Sequence, residues 1–216
     1  MTVLICGAGI GGLCLGLSLQ QLKIPFQIVV QGKILIAEPS IFDDQNFHRS
    51  VVIIASYKEP SVLGFIVNKP LTYSINDMMP EIISDLKLYY GGPVDQDNLF
   101  VVHNAGHLVP NSTKIDDNLF WGGDFKKLVA LVNEGILKKN SIRFFLGYSG
   151  WSDKQLEQEI TSNTWIPIEN PFKDKILNLD SDTIWKNQML ALGLSLIHIS
   201  EPTRPLYISY AVFCLK

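Results

Sequence analysis

The sequence is poor in cysteine. Only Cys6, Cys14 and Cys214 occur in 216 residues, and none of them stands at a CxxC or Cys/His ligand spacing. This pattern excludes a disulfide framework and predicts no metal site. The chain also lacks an apolar run of about 18 residues, so it predicts no membrane-spanning helix. No lysine or arginine precedes the apolar N-terminal stretch and no Ala-x-Ala site follows it, which argues against a secretory signal peptide. We therefore expect a cytoplasmic protein.

Charged residues are scarce at both ends of the chain. Residues 1–31 contain only Lys23, and residues 194–216 contain only three charged side chains. The region 32–193 holds 15 basic and 20 acidic residues, an excess of about five negative charges. Such a balance does not suit a nucleic-acid or anionic-membrane surface, so direct nucleic-acid binding is not expected. With 47% hydrophobic residues overall, the chain can bury one sizeable core.

Residues 1–31 follow the order strand, glycine turn, helix, strand. Gly7, Gly9 and Gly12 satisfy GxGxxG directly after a short apolar β-type run. Glycines at these positions let the backbone approach a pyrophosphate, and the helix that follows offers free N–H groups. The segment resembles the opening of FAD-dependent monooxygenases, and the resemblance implies FAD as cofactor if the segment is functional.

Two features argue against such a function. No acidic residue ends the second strand to hold the ribose, since Val30 and Gln31 stand there. No further βαβ rhythm follows, although a parallel sheet needs both faces buried. We interpret residues 1–31 as an isolated Rossmann-like βαβ fragment at a chimeric junction, and expect no bound cofactor.

The C-terminal segment 194–216 is interpreted as foreign to the protein. Residues 194–204 and 208–215 can be back-translated, in frame, into two adapter sequences of short-read sequencing libraries. The three residues between them fit an index barcode. We therefore treat the segment as an adapter-derived tail and exclude it from the fold.

The region 32–193 has the length of one domain. Apolar and aromatic runs bounded by Gly, Pro, Asn or Asp predict strands at 33–37, 50–55, 61–68, 88–90, 99–103, 143–148 and 165–168. Capping residues and helical spacing predict helices at 74–79, 124–133, 152–161 and 182–192. Because strands and helices mix without regular alternation, the predicted fold class is α+β, with a mixed, strongly bent sheet and flanking helices.

Six blocks of this region carry a resemblance to a known family. They are Gly32–Pro39, Asn46–Val52, Gly64–Leu71, Tyr90–Val94, Trp121–Phe125 and Arg143–Trp151. In this order they resemble the signature blocks of the YqgE/AlgH family of uncharacterised bacterial proteins. The resemblance implies a cytoplasmic protein whose bifurcated sheet curls into a pseudo-barrel. It brings no established activity, and transcriptional regulation is suggested by the AlgH name alone.

Polar and aromatic residues inside these blocks define the candidate pocket. They are Glu38, Arg49, Asn68, Asp124, Arg143, Tyr148 and Trp151, with Asp43 and Asp44 nearby. A carboxylate pair beside an arginine suits acid–base chemistry or anion binding. The interpretation we favour is structural: Glu38 with Arg49, and Asp124 with Arg143, form ion pairs or caps that fix turns.

Other motifs receive structural interpretations. Ser149 lies in a sequence similar to a nucleophile elbow, but Trp151 occupies its last glycine position. His103 and His107 fall on a turn and are interpreted as solvated loop histidines. The glycine pairs 91–92 and 122–123 lack the Lys-Ser/Thr of a phosphate loop and are interpreted as turns. Lys138 and Lys139 are interpreted as a solvated face.

The sequence thus predicts a non-enzymatic protein that acts through a protein partner or a small ligand; a role in transcriptional regulation is implied by the family resemblance alone. One alternative is an enzyme or anion-binding protein that uses Glu38, Arg49, Asp124 and Arg143. The other is an FAD-binding oxidoreductase fragment that uses the three glycines of the N-terminal motif.

Overall fold

The computed structural model describes residues 3–6, 10–23, 26–58, 60–152 and 154–193. The strands are β1 Val3–Cys6, β2 Phe26–Val29, β3 Ile34–Ala37, β4 Val51–Lys58, β5 Ser61–Ile66, β6 Pro70–Ser74, β7 Lys87–Tyr90, β8 Val94–His103, β9 Ser112–Asp116, β10 Leu119–Gly122, β11 Ile142–Trp151 and β12 Trp165–Ile168. The helices are α1 Ile10–Gln21, α2 Ile75–Met78, α3 Phe125–Asn133, α4 Gln155–Thr161 and α5 Ile184–Ala191, and a 3₁₀ helix spans Lys173–Asn178.

The strands from β3 to β12 form one large mixed sheet. Its main path runs β12-β3-β4-β5-β11-β8-β10-β9, and β6 and β7 lie off this path. Strand β11 branches the sheet, because its first half pairs in parallel with β7 and its second half pairs antiparallel with β5. The α+β class and the mixed sheet are thereby confirmed. The sheet is open, since β12 and β9 end the path and do not pair with each other in the part of the chain that is described.

The turn before β3 lies against the far edge of the sheet. Gly32 has φ +88°, and a Cβ built on it would lie 3.2 Å from the carbonyl oxygen of Ile115 in β9. The Gln31 side-chain amide donates a hydrogen bond to the carbonyl of Lys114, also in β9. The bend of the sheet therefore brings β9 next to the turn at 31–32.

The two faces of β11 bury different cores. Phe145 stacks on Phe65 with ring centroids 5.0 Å apart, in a cluster that also contains Trp185 of α5. Its neighbour Phe144 points to the opposite face and packs in a cluster with Leu128 of α3. Full burial of each such side chain contributes about 1.5–3 kcal/mol of transfer free energy. Helices thus cover both sides of the strand that branches the sheet.

The predicted strands and long helices are present, although β8 begins five residues earlier and β11 ends three residues later than predicted, and three strands were missed. All three, β6, β9 and β10, are only four or five residues long; β6 and β9 also carry several polar residues, so their pattern in the sequence is weak. β9 and β10 nevertheless form a hairpin around residues 117–118. β12 contains Pro167 and ends the path of the sheet, because a proline has no backbone N–H to donate within a central strand.

The N-terminal segment forms a separate two-stranded sheet. β1 and β2 run parallel, and α1 lies between them in sequence. Gly12 lies within α1, whereas Gly7, Gly9 and the tail 194–216 lie outside the described residues. The Rossmann-like nature of this segment and its chimeric junction stay predictions. No helix in the described parts of the chain is both long and apolar enough to cross a membrane.

Candidate ligand-binding cavity

A cavity of about 360 Å³ opens between the start of β11, the start of β7 and the 3₁₀ helix. Its lining is contributed by three distant parts of the chain. The lining residues are Asp85, Leu86, Lys87, Tyr89, Lys139, Ile142, Arg143, Leu177, Asn178 and Leu179. The volume is in the range of small-molecule sites, and charged and amide side chains make up half of the lining residues.

Arg143 stands in the wall of this cavity and is 5% exposed. Of the Lys, Arg, Asp and Glu side chains that the structure describes, it alone is buried. It donates hydrogen bonds to the carbonyls of Val67 at 2.6 Å, Leu177 at 2.8 Å and Leu179 at 3.4 Å. Its guanidinium carbon also lies 4.2 Å from the centre of the Tyr89 ring. The side chain therefore clamps the end of the 3₁₀ helix to the sheet.

The charge of Arg143 has no carboxylate partner within the described residues. The ion pairs found there join Lys33 to Glu169 and Lys114 to Asp117. Burial lowers the pKa of Arg143, although an arginine stays protonated at neutral pH. Carbonyl dipoles and an aromatic face supply partial compensation, whereas buried charges usually meet a full opposite charge.

Two exposed lysines and one exposed carboxylate complete the charged lining. Lys87 belongs to β7, Lys139 precedes β11, and Asp85 precedes β7. With Arg143 the lining carries three formal positive charges and one negative charge. The cavity is thus cationic although the whole chain has a net charge of −3. Lys139 is exposed, as the interpretation of a solvated face expects, and it also lines the cavity, which the sequence did not indicate.

The ion pair expected between Asp124 and Arg143 is not formed. Asp124 caps α3, and its carboxylate accepts the backbone N–H of Lys127 at 3.1 Å. The turn cap predicted for this residue is therefore present. The reason is local: a carboxylate at an N-cap finds a backbone donor within its own turn. Arg143 instead donates its hydrogen bonds to the carbonyls of Val67, Leu177 and Leu179.

Glu38, Arg49 and Asn68 hold the segment that precedes β4. The Glu38 carboxylate accepts the backbone N–H of Ser40 at 2.8 Å. Asn68 donates to the Arg49 carbonyl and accepts the N–H of Val51, each at 2.8 Å. Arg49 itself has φ +52° and lies 5.5 Å from the ring centre of Trp185. Asn68 thus fixes an unusual backbone turn.

The two nearby aspartates and the loop around them are equally ordered by local hydrogen bonds. Asp44 accepts the backbone N–H groups of Asn46 at 2.9 Å and Phe47 at 3.2 Å, whereas Asp43 is exposed. Lys69 donates to the carbonyl of Asn46 at 2.7 Å. Burial lowers the pKa of Lys69, and the charge of Asp44 works against that change. Hydrogen bonds within the loop and from Lys69 therefore fix its conformation.

Tyr148 and Trp151 lie at the other end of β11 from the cavity. Tyr148 packs edge-on against Phe100, with ring centroids 5.4 Å apart. Trp151 donates its indole N–H to Glu159 at 2.7 Å, and Trp165 donates to the same carboxylate oxygen at 2.8 Å. Glu159 was missed by the sequence analysis, because its two partners come from different strands.

Ser149 is a buried structural residue. It is 0% exposed and donates its hydroxyl hydrogen to the carbonyl of Gly91 at 3.1 Å. A Cβ on Gly91 would lie 2.2 Å from the carbonyl oxygen of Gly147, so the two turns are pressed together. The contact leaves no room for a side chain at Gly91, and full burial leaves Ser149 without the exposure that a nucleophile needs.

The interpretation of His103 as a solvated loop residue is wrong. His103 is 0% exposed and ends β8, whereas His107 is exposed. Its Nδ1 accepts the backbone N–H of Ala105 at 3.2 Å, so Nε2 carries the proton and donates to the Gly122 carbonyl at 3.1 Å. Ser112 Oγ lies 3.2 Å from the same nitrogen and donates to Val109. The imidazole is therefore a structural link and does not serve as a base for Ser112.

Of the seven predicted pocket residues, Arg143 alone lines the cavity. No pattern in the sequence indicated Lys87 or Tyr89 as site residues, and Lys139 was predicted to lie outside any site. Tyr89 directly precedes a signature block, which was the available signal. Residues 177–179 carry no motif in the sequence, and they contribute both carbonyls that bind Arg143 and side chains of the cavity wall.

The fold and the cavity define an α+β protein with a branched mixed sheet and one buried arginine in its described core. The chain belongs to the AlgH-like DUF179 family, whose sequence profile matches residues 34–197. A UPF0301 protein of Cytophaga hutchinsonii is 38% identical over 168 residues, which cover 77% of this chain and 91% of that protein. A UPF0301 protein of Bacteroides fragilis is 41% identical over 165 residues, covering 76% and 83% respectively.

Two solved structures share the fold. The solution structure of the AlgH protein of Pseudomonas aeruginosa aligns with a TM-score of 0.62 and 22% identity, over 78% of this chain and 92% of that one. A crystal structure of a Corynebacterium diphtheriae protein aligns with a TM-score of 0.63 and 23% identity, over 85% and 96%. At this identity the likeness concerns the fold alone. The family resemblance predicted for 32–193 is thereby confirmed, with bacterial relatives.

Proposed function

We propose that the chain is a non-enzymatic protein that binds a small ligand in the cavity at Arg143. The observation that carries the proposal is a buried arginine, without a carboxylate partner in the described chain, in the wall of a cavity of about 360 Å³. A charge of this kind is costly to bury unless something compensates it. A ligand that occupies the cavity supplies that compensation.

The other predicted site residues support a binding role over an enzymatic one. Glu38 and Asp124 are engaged with backbone N–H groups of their own turns. Neither carboxylate faces Arg143, so the acid–base arrangement predicted for the enzyme alternative has no support from the geometry. We also infer a cytoplasmic location, and any role in transcriptional regulation would be exercised through a protein partner.

The N-terminal segment is proposed to have no part in this function. The region matched by the family begins at residue 34, after β2. If the segment binds FAD, the purified full chain will be yellow and show flavin absorbance. Colourless protein that takes up no added FAD would contradict the FAD-binding alternative.

The test uses three small aromatic probes of similar shape and different charge: benzoate, benzamide and benzylamine. Ligand-observed NMR on the full chain reports which of them binds. Asn178→Trp should abolish binding, because Asn178 is exposed and lines the cavity, where an indole would fill the space. Asn118→Trp is the matched control, since Asn118 is exposed and lies outside the lining. Absence of binding by all three probes, or equal binding by Asn178→Trp and wild type, would overturn the proposal.

A further inference from the structure

We propose that the ligand of this cavity is an organic phosphate monoester; the inference rests on the proposed binding function. It commits to the chemical class of the ligand, which the size of the cavity does not decide. Three features of the lining support this class of ligand: the number of its charges, their arrangement, and the apolar part of the wall.

The charges of the lining call for a dianion. Lys87, Lys139 and Arg143 oppose the single carboxylate of Asp85, an excess of two positive charges. A phosphate monoester carries a charge of about −1.5 to −2 at neutral pH, whereas a simple carboxylate carries one. One phosphate group would therefore neutralise the lining.

The arrangement of the cations favours a single group that carries both negative charges. Tyr89 of β7 pairs with Phe145 of β11, and alternate residues of a strand point to the same face. Lys87 and Arg143, each two residues earlier, therefore lie side by side on that face. A dicarboxylate would place its second charge away from this pair, whereas the oxygens of one phosphate can contact both side chains.

Arg143 retains hydrogen-bonding capacity for such a group. An arginine has five N–H donors, and carbonyls of the described chain take three of them, through Nη1 and Nη2. Two donors remain. Charge-assisted hydrogen bonds from arginine to phosphate are roughly twice as strong as neutral ones. The side chain can thus hold the 3₁₀ helix and contact an anion at the same time.

The apolar lining indicates that the phosphate is attached to an organic group. Leu86, Ile142, Leu177 and Leu179 contribute to the wall, together with the ring of Tyr89. Inorganic phosphate would leave this surface in contact with water. A monoester of an aromatic or aliphatic alcohol would cover it and gain the free energy of apolar burial.

The test compares phenyl phosphate with benzoate and inorganic phosphate, using isothermal titration calorimetry on the full chain. We expect phenyl phosphate to bind about tenfold more tightly than either, because it alone combines two charges with an apolar group. Its affinity should fall between pH 7.5 and 5.5, where the second phosphate proton is taken up with a pKa of about 6. Benzoate affinity should stay level over the same range, since its single charge is retained.

Charge-reversal variants locate the site. Lys87→Glu and Lys139→Glu should each weaken phenyl phosphate binding by about tenfold or more. Lys126→Glu is the matched control. It makes the same change of charge, and Lys126 is exposed on α3 and does not line the cavity. It should change the affinity by less than about twofold, the size of a screened long-range effect.

The outcomes separate this inference from the function on which it rests. Binding of benzamide that is lost in Asn178→Trp, with no preference for phenyl phosphate, would overturn the phosphate inference and leave the cavity as a ligand site. Equal weakening by Lys126→Glu and Lys139→Glu would also overturn it, because the effect would then reflect the net charge of the chain. Failure of every probe would overturn both.

Discussion

Strand β11 has two ends that are built in opposite ways. In its C-terminal half, the backbone of residues 147–149 lies so close to Gly91 and Gly92 that neither glycine could carry a side chain. At its N-terminal end, Arg143 stands in the wall of an open cavity and holds the 3₁₀ helix through carbonyls. Both ends belong to one signature block of the sequence. One short block of sequence can therefore combine residues that serve the fold with residues suited to binding.

The largest loss of stability is expected at the closed end of β11. Gly91→Ala should cost about 3 kcal/mol or more of unfolding free energy, because its Cβ would lie 2.2 Å from the carbonyl oxygen of Gly147. Urea unfolding followed by fluorescence measures this loss. Gly135→Ala is the control: Gly135 has φ +73° and no atom within 4 Å of an added Cβ. It should cost only about 1 kcal/mol, the penalty of a left-handed backbone. Equal losses for the two variants would show that the turns are not tightly packed.

At the open end, Arg143→Met should cost about 2–4 kcal/mol, since the carbonyls of Val67 and Leu177 lose their donor. Hydrogen exchange should show the loss concentrated at residues 173–179, which the arginine holds. Arg143→Lys keeps the charge and some donors, so we expect an intermediate value. If Arg143→Met unfolds at the same urea concentration as wild type, the arginine does not clamp the 3₁₀ helix.

The sequence predicted the closed end far better than the open one. Glycine pairs and apolar runs are local signals, and they indicated the turn at 91–92 and the strand at 143–148. The cavity is assembled from residues 85–89, 139–143 and 177–179, and only the folded chain brings these together. The ion pair predicted between Asp124 and Arg143 is not formed, because the presence of opposite charges in a sequence does not show which hydrogen-bond partner lies nearest in the fold. A helix N-cap satisfied the carboxylate locally, and backbone carbonyls satisfied the arginine.

A third test concerns pH and a buried group that lies away from both ends. Burial lowers the pKa of His103 from its ordinary value of about 6.5, and the hydrogen bond to the Gly122 carbonyl works weakly against this. The unfolded chain therefore takes up a proton more readily than the folded one as the pH falls. Stability should be fully present above about pH 6.5 and decline below it.

Urea midpoints at pH 7.5 and 5.5 measure this decline in the wild type and in two matched variants. His103→Gln should flatten the dependence, and His107→Gln should retain it, because His107 is exposed. A wild-type midpoint that rises on acidification would contradict the assignment of a neutral, buried His103.

The smallest effect is expected from the lysines of the cavity, and it distinguishes binding residues from folding residues most directly. Lys87→Met and Lys139→Met should change the unfolding free energy by no more than about 0.5 kcal/mol, because both lysines are exposed. A slight gain in stability is expected, since each substitution removes repulsion with Arg143. Lys126→Met on α3 gives the reference for removal of an exposed charge without such a neighbour. A loss as large as that of Arg143→Met would mean that the lysines belong to the clamp of the 3₁₀ helix. Their charges would then serve the fold, and Arg143 would be the one remaining cation of the lining that could attract an anion.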